Sequence, residues 1–195
     1  MELNELVERC REGDAAAWEA LVRRYQGKVY AYALDYLRNP EEARDLAQEV
    51  FVRIYERLDR CRDASSFVPW MLRMTRNAAI DRIRRAKTRP RAIGTPVEEI
   101  LSLASPVPSP VENLATNRRQ SLVRRAMERL TALNREIVRL KEIEGLSFES
   151  VAQILQVPVG TTKSRSARAR IELAREVAAL MKEEGWPEGT PGRDV

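Results

Sequence analysis

The chain has 195 residues, carries 34 Lys and Arg against 29 Asp and Glu for a net charge of +5, and contains no histidine. That absence excludes Ser-His-Asp and Cys-His catalysis and His-ligated zinc, while Cys10 and Cys61, far apart and outside any CxxC pair, suggest neither a disulfide framework nor a cysteine metal site. The opening MELNELVERCREGD lacks the apolar core of a signal peptide, and no stretch approaches the roughly 20 apolar residues of a membrane span, so a cytoplasmic protein without membrane insertion is expected.

Residues 1–87 read as one helical bundle. After Asp14, a natural N-cap, the stripe Trp18, Leu21, Val22, Tyr25, Val29, Ala33 and Tyr36 predicts a long amphipathic helix. A second begins at Asn39 as N-cap, with Pro40 at the first helical position and Glu41 and Glu42 in the positive first turn. Its apolar stripe is Ala43, Leu46, Ala47, Val50, Ile54 and Leu58. Paired acids such as Glu41, Glu42 and Asp45 can do acid–base chemistry, but the helix-start preference accounts for them more simply. Beyond the polar stretch Arg60 to Ser66, a third stripe runs through Phe67, Trp70, Met71, Met74 and Ala78, and the same helix turns strongly basic toward Arg85.

From 88 to 112 the periodicity stops, and Pro90, Pro96, Pro106, Pro108 and Pro110 mix with Gly94 and several Ser and Thr. A connection of about 25 residues is too long for the inside of a compact domain. It reads as a linker between two domains able to move independently, with a short helical turn at Glu98 to Leu103. Helical spacing resumes from Leu114 through Leu122, Ala126, Leu130, Ile137, Val138 and Leu140 to Glu144, where Gly145 offers a stop. The second domain is therefore expected over 113–182, followed by a frayed tail, 183–195. The fold class is all-α, with two small helical domains joined by a Pro-rich linker and a helix-turn-helix in the second.

Residues 145–165 carry that motif: a short helix capped by Ser147, a tight turn at Gln156 and Val157, then Pro158 at the start of a second helix. Val151, Ala152 and Leu155 face inward. On the second helix Thr161, Ser164, Arg165 and Arg168 form one polar face, with Thr162, Ala169 and Leu173 toward the other. Arg pairs with guanine edges, Lys and Arg neutralise phosphates, and Ser or Thr bonds either. Lys163, Arg170 and Arg175 extend the phosphate contacts. A solvated basic helix is the bland alternative, and cap, turn and polar face together count against it.

The stretch from Gly145 to Arg170 resembles region 4 of the extracytoplasmic-function (ECF) sigma factors of the sigma-70 family. Independently, Asn39 to Phe51 resembles their region 2.2, and Phe67 to Arg85 their regions 2.3 and 2.4. The resemblance implies a promoter-specificity subunit of bacterial RNA polymerase that needs no catalytic residue, cofactor or metal. It assigns Asp45, Gln48, Glu49 and Phe51 to docking on the polymerase core at the beta-prime coiled coil. To the minus-10 element it assigns Arg62, Asp63, Ser65, Arg76, Asn77, Asp81, Arg84 and Arg85, with Lys87 nearby; to the minus-35 element, Thr161, Lys163, Ser164, Arg165 and Arg168. Contact with the beta flap and control by an anti-sigma factor are further implications. The sequence departs from the family pattern at Cys61, at Asp63-Ala64 and, in the recognition helix, at Thr162, Ser166 and Ala167, where looser packing is expected. Two other readings stay open: a conventional helix-turn-helix regulator whose N-terminal bundle dimerises on a palindrome, and a helical scaffold that binds phosphates without reading sequence.

Overall fold

The computed structural model describes residues 1–61, 63–87 and 116–186, all helical or in turns, with no strand among them. Expectations that fall on Arg62, on 88–115 and on 187–195 lie outside the described residues.

Four helices form the first unit: α1 (Leu3–Arg11), α2 (Ala15–Leu37), α3 (Pro40–Arg57) and α4 (Phe67–Lys87). Two 3-10 turns, Leu58–Arg60 and Ala64–Ser66, join α3 to α4. The caps form where the sequence places them. Asp14 Oδ1 accepts from the amides of Ala16 and Ala17 at 2.9 and 3.1 Å, and Asn39 accepts from Glu41 and Glu42, each satisfying otherwise orphaned amides of a first turn. α2 is the central helix, against which α1, α3 and α4 all pack. Leu21, Val29, Leu46, Val50, Ile54, Phe67, Met71 and Leu72 are buried between them, and burial of each such side chain is worth about 1.5–3 kcal/mol.

In the second unit, α5 (Thr116–Arg129), α6 (Ala132–Val138) and α7 (Phe148–Leu155) surround α8 (Val159–Glu183). The single helix expected between Leu114 and Glu144 is broken. Thr131 caps α6 through a bond from the Asn134 amide, while the Arg135 guanidinium donates to the carbonyls of Met127, Glu128 and Leu130 at the end of α5. One side chain thus satisfies acceptors that a helix terminus leaves open. A π turn, Arg139–Ile143, extends α6, and Gly145 at φ +67° reverses the chain there. No helix among the described residues is long and apolar enough to cross a membrane.

The two units are not independent in this structure. α7 lies on α4, and Leu133, Ile137, Leu140, Leu146, Val151, Ile154 and Leu155 belong to the same apolar core as the first bundle. Polar contacts cross the same junction: Lys28 to Glu144, Asp35 to Arg139, and Tyr32, Tyr36 and Arg76 to Glu136.

Candidate nucleic-acid interface

The helix-turn-helix is built from local rules. Ser147 Oγ accepts from the Ser150 amide at 3.1 Å and starts α7. Gln156 ends it in the left-handed region at φ 59°, with the next amide, that of Val157, bonded back to the Ala152 carbonyl. Pro158 is the N-cap of α8, and its carbonyl accepts from both the Thr162 amide and the Thr162 hydroxyl. Thr162, Ser166 and Ala169 are buried, and these small side chains on one face let α8 lie close to α6. The looser packing expected at Thr162 is not what the structure has: its hydroxyl is bonded and its methyl enclosed. Ser166 Oγ is buried without a hydrogen-bond partner among the described residues.

The opposite face of α8 is open. Lys163, Ser164, Arg168, Arg170 and Arg175 are exposed, and Thr161 and Arg165 are half-buried beside them. Ser164 Oγ donates to the Thr161 carbonyl at 3.1 Å, holding its hydroxyl on the helix surface. Phe148 carries Lys141 and Lys163 over its ring at 4.8 and 6.0 Å, fixing two cations beside the turn.

On α3, Asp45 and Gln48 are exposed and Glu49 is half-buried, bonded to Arg53 with Arg82 Nη2 at 3.6 Å. Phe51 points inward instead, edge-on to Trp18. The exposed apolar side chains of this helix are Val52 and Tyr55, 58% and 63% accessible. With Trp18, Val22 and Gln48 they line a groove of about 1160 Å³ between α2 and α3. Val52 and Tyr55 follow Asp45 and Gln48 on the same face, a spacing that could have found them.

Before α4, Asp63 accepts from the amide and hydroxyl of Ser65, and these bonds hold its carboxyl below the usual carboxylate range. Both residues are exposed, as are Asp81, Arg84 and Arg85, while Asn77 is half-buried. Cys61 is enclosed beneath this loop, where burial pushes its thiol pKa up. Arg82 reaches back to the Glu42 carbonyl at 2.8 Å. Arg76 departs from the expected surface. It is only 3% exposed, and its Nε donates to Glu136 of the second unit at 3.1 Å. Burial lowers its pKa. No group of three or more His, Cys, Asp or Glu among the described residues is placed to hold a metal.

A capped helix-turn-helix with an open cationic face, joined to a helical bundle with an aromatic-lined groove, fits a class of two-unit DNA-binding protein. Residues 21–89 match the family Sigma-70 region 2, and residues 120–173 match Sigma-70, region 4. The chain is 30% identical over 184 residues to the RNA polymerase sigma-H factor of Pseudomonas aeruginosa, covering 92% of this chain and 95% of that one. It is 32% identical over 182 residues to the ECF RNA polymerase sigma-E factor of Escherichia coli K12, covering 91% and 95%. Among solved structures, CnrH in complex with the cytosolic domain of CnrY aligns with a TM-score of 0.60 at 22% identity, over 91% of this chain and 99% of that chain. The sigma factor RpoE of Bartonella quintana, solved with the anti-sigma factor NepR, gives 0.60 at 21%, over 82% and 96%; both likenesses concern the fold. The chain belongs to the sigma-70 family, as an ECF sigma factor.

Proposed function

We propose that this chain is a promoter-specificity subunit that docks on the core of bacterial RNA polymerase, reads a duplex minus-35 element with α8 and captures a melted minus-10 strand beside α4. The observation that carries this reading is the pairing, in one chain, of an open cationic recognition helix with a separate aromatic-lined groove beside the exposed Asp45 and Gln48. A regulator that binds alone has no use for the second surface. Asp45, Gln48, Val52 and Tyr55 form the docking face for the beta-prime coiled coil, and the second unit touches the beta flap. Thr161, Lys163, Ser164, Arg165 and Arg168 contact the minus-35 duplex, Arg and Lys at phosphates and guanine edges, Ser and Thr at either. Asp63, Ser65 and Asn77 hold an unstacked base while Asp81, Arg84 and Arg85 line the strand.

The protein works in the cytoplasm and is not an enzyme: bond formation belongs to the polymerase, and this subunit contributes binding, orientation and strand separation. The anti-sigma factor NepR, partner of the Bartonella quintana relative, supports control by an inhibitor of that class. The test is transcription by the purified chain with bacterial core polymerase on a library of DNA templates. Core-dependent starts sharing two upstream elements, reduced by Arg165→Ala/Arg168→Ala and by Asp45→Ala/Gln48→Ala, are expected. Tight binding of a palindromic duplex by the chain alone, with no core-dependent start, would instead identify a conventional regulator.

A further inference from the structure

Asp63 and Ser65 stand on the loop before α4, and that loop does not rest on α4 alone. Both of its 3-10 turns, Leu58–Arg60 and Ala64–Ser66, pack against α1, and Cys61 and Ala64 are buried. α1 lies outside residues 21–89, the stretch that matches region 2. Its last turn also meets the loop through a polar contact. Arg11 follows Val7 on one face of the helix. Its Nη2 donates to the Cys61 carbonyl, while its Nη1 is paired with Glu8, one turn back.

From Cys61 a short series of bonds leads to the exposed groups. The Cys61 amide donates to the Leu58 carbonyl at 3.0 Å, and its thiol donates to the Asp63 carbonyl at 3.4 Å. The same Asp63 carbonyl accepts from the Ser66 amide at 2.9 Å. The Asp63 carboxylate accepts from the Ser65 amide at 3.0 Å and from the Ser65 hydroxyl. The bonds from Ser65 hold that carboxyl below the usual range, and the charge of Arg11 adds to the effect. Arg11 therefore brings a cation from another helix to the foot of the loop. Its side chain is 20% exposed, so water competes little for the carbonyl, and a bond from a charged donor is stronger than a neutral one.

The helix C-terminus by itself does not account for this contact. Arg9, in the same last turn, pairs with Asp14 instead. Reading an unstacked base needs its donors and acceptors held in place by their neighbours. We propose that Arg11 is a positioning residue of this loop: by fixing the Cys61 carbonyl it sets where Asp63 and Ser65 stand, so that α1 takes part in choosing the base that is held. This rests on reading Asp63 and Ser65 as groups that meet the melted strand.

The test uses the full-length chain with bacterial core polymerase on templates randomised through the upstream elements, and reads the base preference at each position. Asp63→Asn marks the position that the loop reads. Arg11→Met is expected to lower the preference at that same position about fivefold, as for the loss of one hydrogen bond, with the minus-35 preferences unchanged. Arg9→Met removes the same charge from the same turn and is expected to keep every wild-type preference. Arg11→Lys keeps the cation and a donor, so it should fold as wild type does and recover part of the loss. The double variant Arg11→Met/Asp63→Asn should lose no more than Asp63→Asn alone, because two residues that act through one contact are not additive.

Wild-type preferences in Arg11→Met would overturn the proposal. So would an additive double variant, or a uniform fall in starts from every template with the preferences intact, which marks a merely structural role. If Arg11→Met does not fold, a preference in Arg11→Lys lowered at the Asp63 position alone supports the proposal, and any other result overturns it. If Asp63→Asn changes no preference, the loop reads no base and Arg11 has nothing to position. Absence of core-dependent starts from the wild-type chain would be a different failure, that of the sigma reading itself.

Discussion

α4 and α8 are the two helices proposed to meet DNA, yet they are held in opposite ways. α8 rests on its own unit through small buried side chains, Thr162, Ser166 and Ala169, and turns its cations to solvent. α4 is shared: one side completes the first bundle, another lies under α7, and Arg76 is enclosed by Glu136. Duplex DNA is present at all times, whereas a melted strand exists only once polymerase has opened a promoter. α8 offers its cationic face as a whole, whereas α4 offers Asp81, Arg84 and Arg85 beyond the junction and keeps Arg76 within it.

The largest expected effect is at the junction. Glu136→Ala removes the acceptor shared by Tyr32, Tyr36 and Arg76, and each buried donor left unpaired costs about 1–3 kcal/mol. The docked arrangement should give way first, seen as an early transition in urea monitored by scattering, while the first bundle keeps its own later transition. An unchanged single transition would mean that α4 is no more constrained than α8.

Next in size is the open helix. Arg165→Ala/Arg168→Ala should weaken binding of the minus-35 duplex by about 1–3 kcal/mol where an arginine reads a base, and should lower the salt slope by about one for each arginine that neutralises a phosphate. Fluorescence anisotropy against salt concentration measures both. Single-strand affinity should stay at the wild-type value, which separates the two helices.

Tyr36→Phe removes one of three donors to Glu136 and should loosen docking by about 1 kcal/mol, measured as a small shift in the same urea transition. Smaller again is the effect of pH. Burial pushes the Glu136 carboxyl from 4.5 up to about 8, against the bond from Tyr32. The groups facing it are Tyr32, Tyr36 and Arg76, with Arg139 beyond the Tyr32 ring. With the units docked Glu136 holds a proton that it releases when they part, so this contribution to docking is complete below pH 4.5 and is lost as pH rises through about 8, then stays flat. Scattering between about pH 5 and pH 9 should show that trend in wild type and a flat line in Glu136→Gln.

What is legible in the sequence is mostly local. Asp14, Asn39 and Ser147 announce helix starts because their side chains bond amides two or three residues on, and Gly145 and the turn at Gln156 mark stops for equally local reasons. The cationic face of α8 follows from helical spacing alone. The break between α5 and α6 is hidden, since Thr131 and Arg135 act there inside an otherwise continuous apolar pattern. Resemblance assigns Phe51 to the docking surface, yet its position on the helix turns it toward Trp18, with Val52 and Tyr55 outside. The junction is not legible because its partners are distant in sequence, as with Tyr32 and Glu136. A signal is nonetheless present: an acidic residue within the stripe Leu133, Ile137, Leu140 calls for a buried partner.

The most direct measurement compares two probes, a minus-35 duplex and a minus-10 single strand taken from a promoter found with the template library, each titrated with the wild-type chain in the absence and presence of core polymerase. The account predicts that core polymerase raises binding of both probes, and that Asp45→Ala/Gln48→Ala removes the gain. Failure of core polymerase to raise strand binding would contradict the sigma function assigned to the chain.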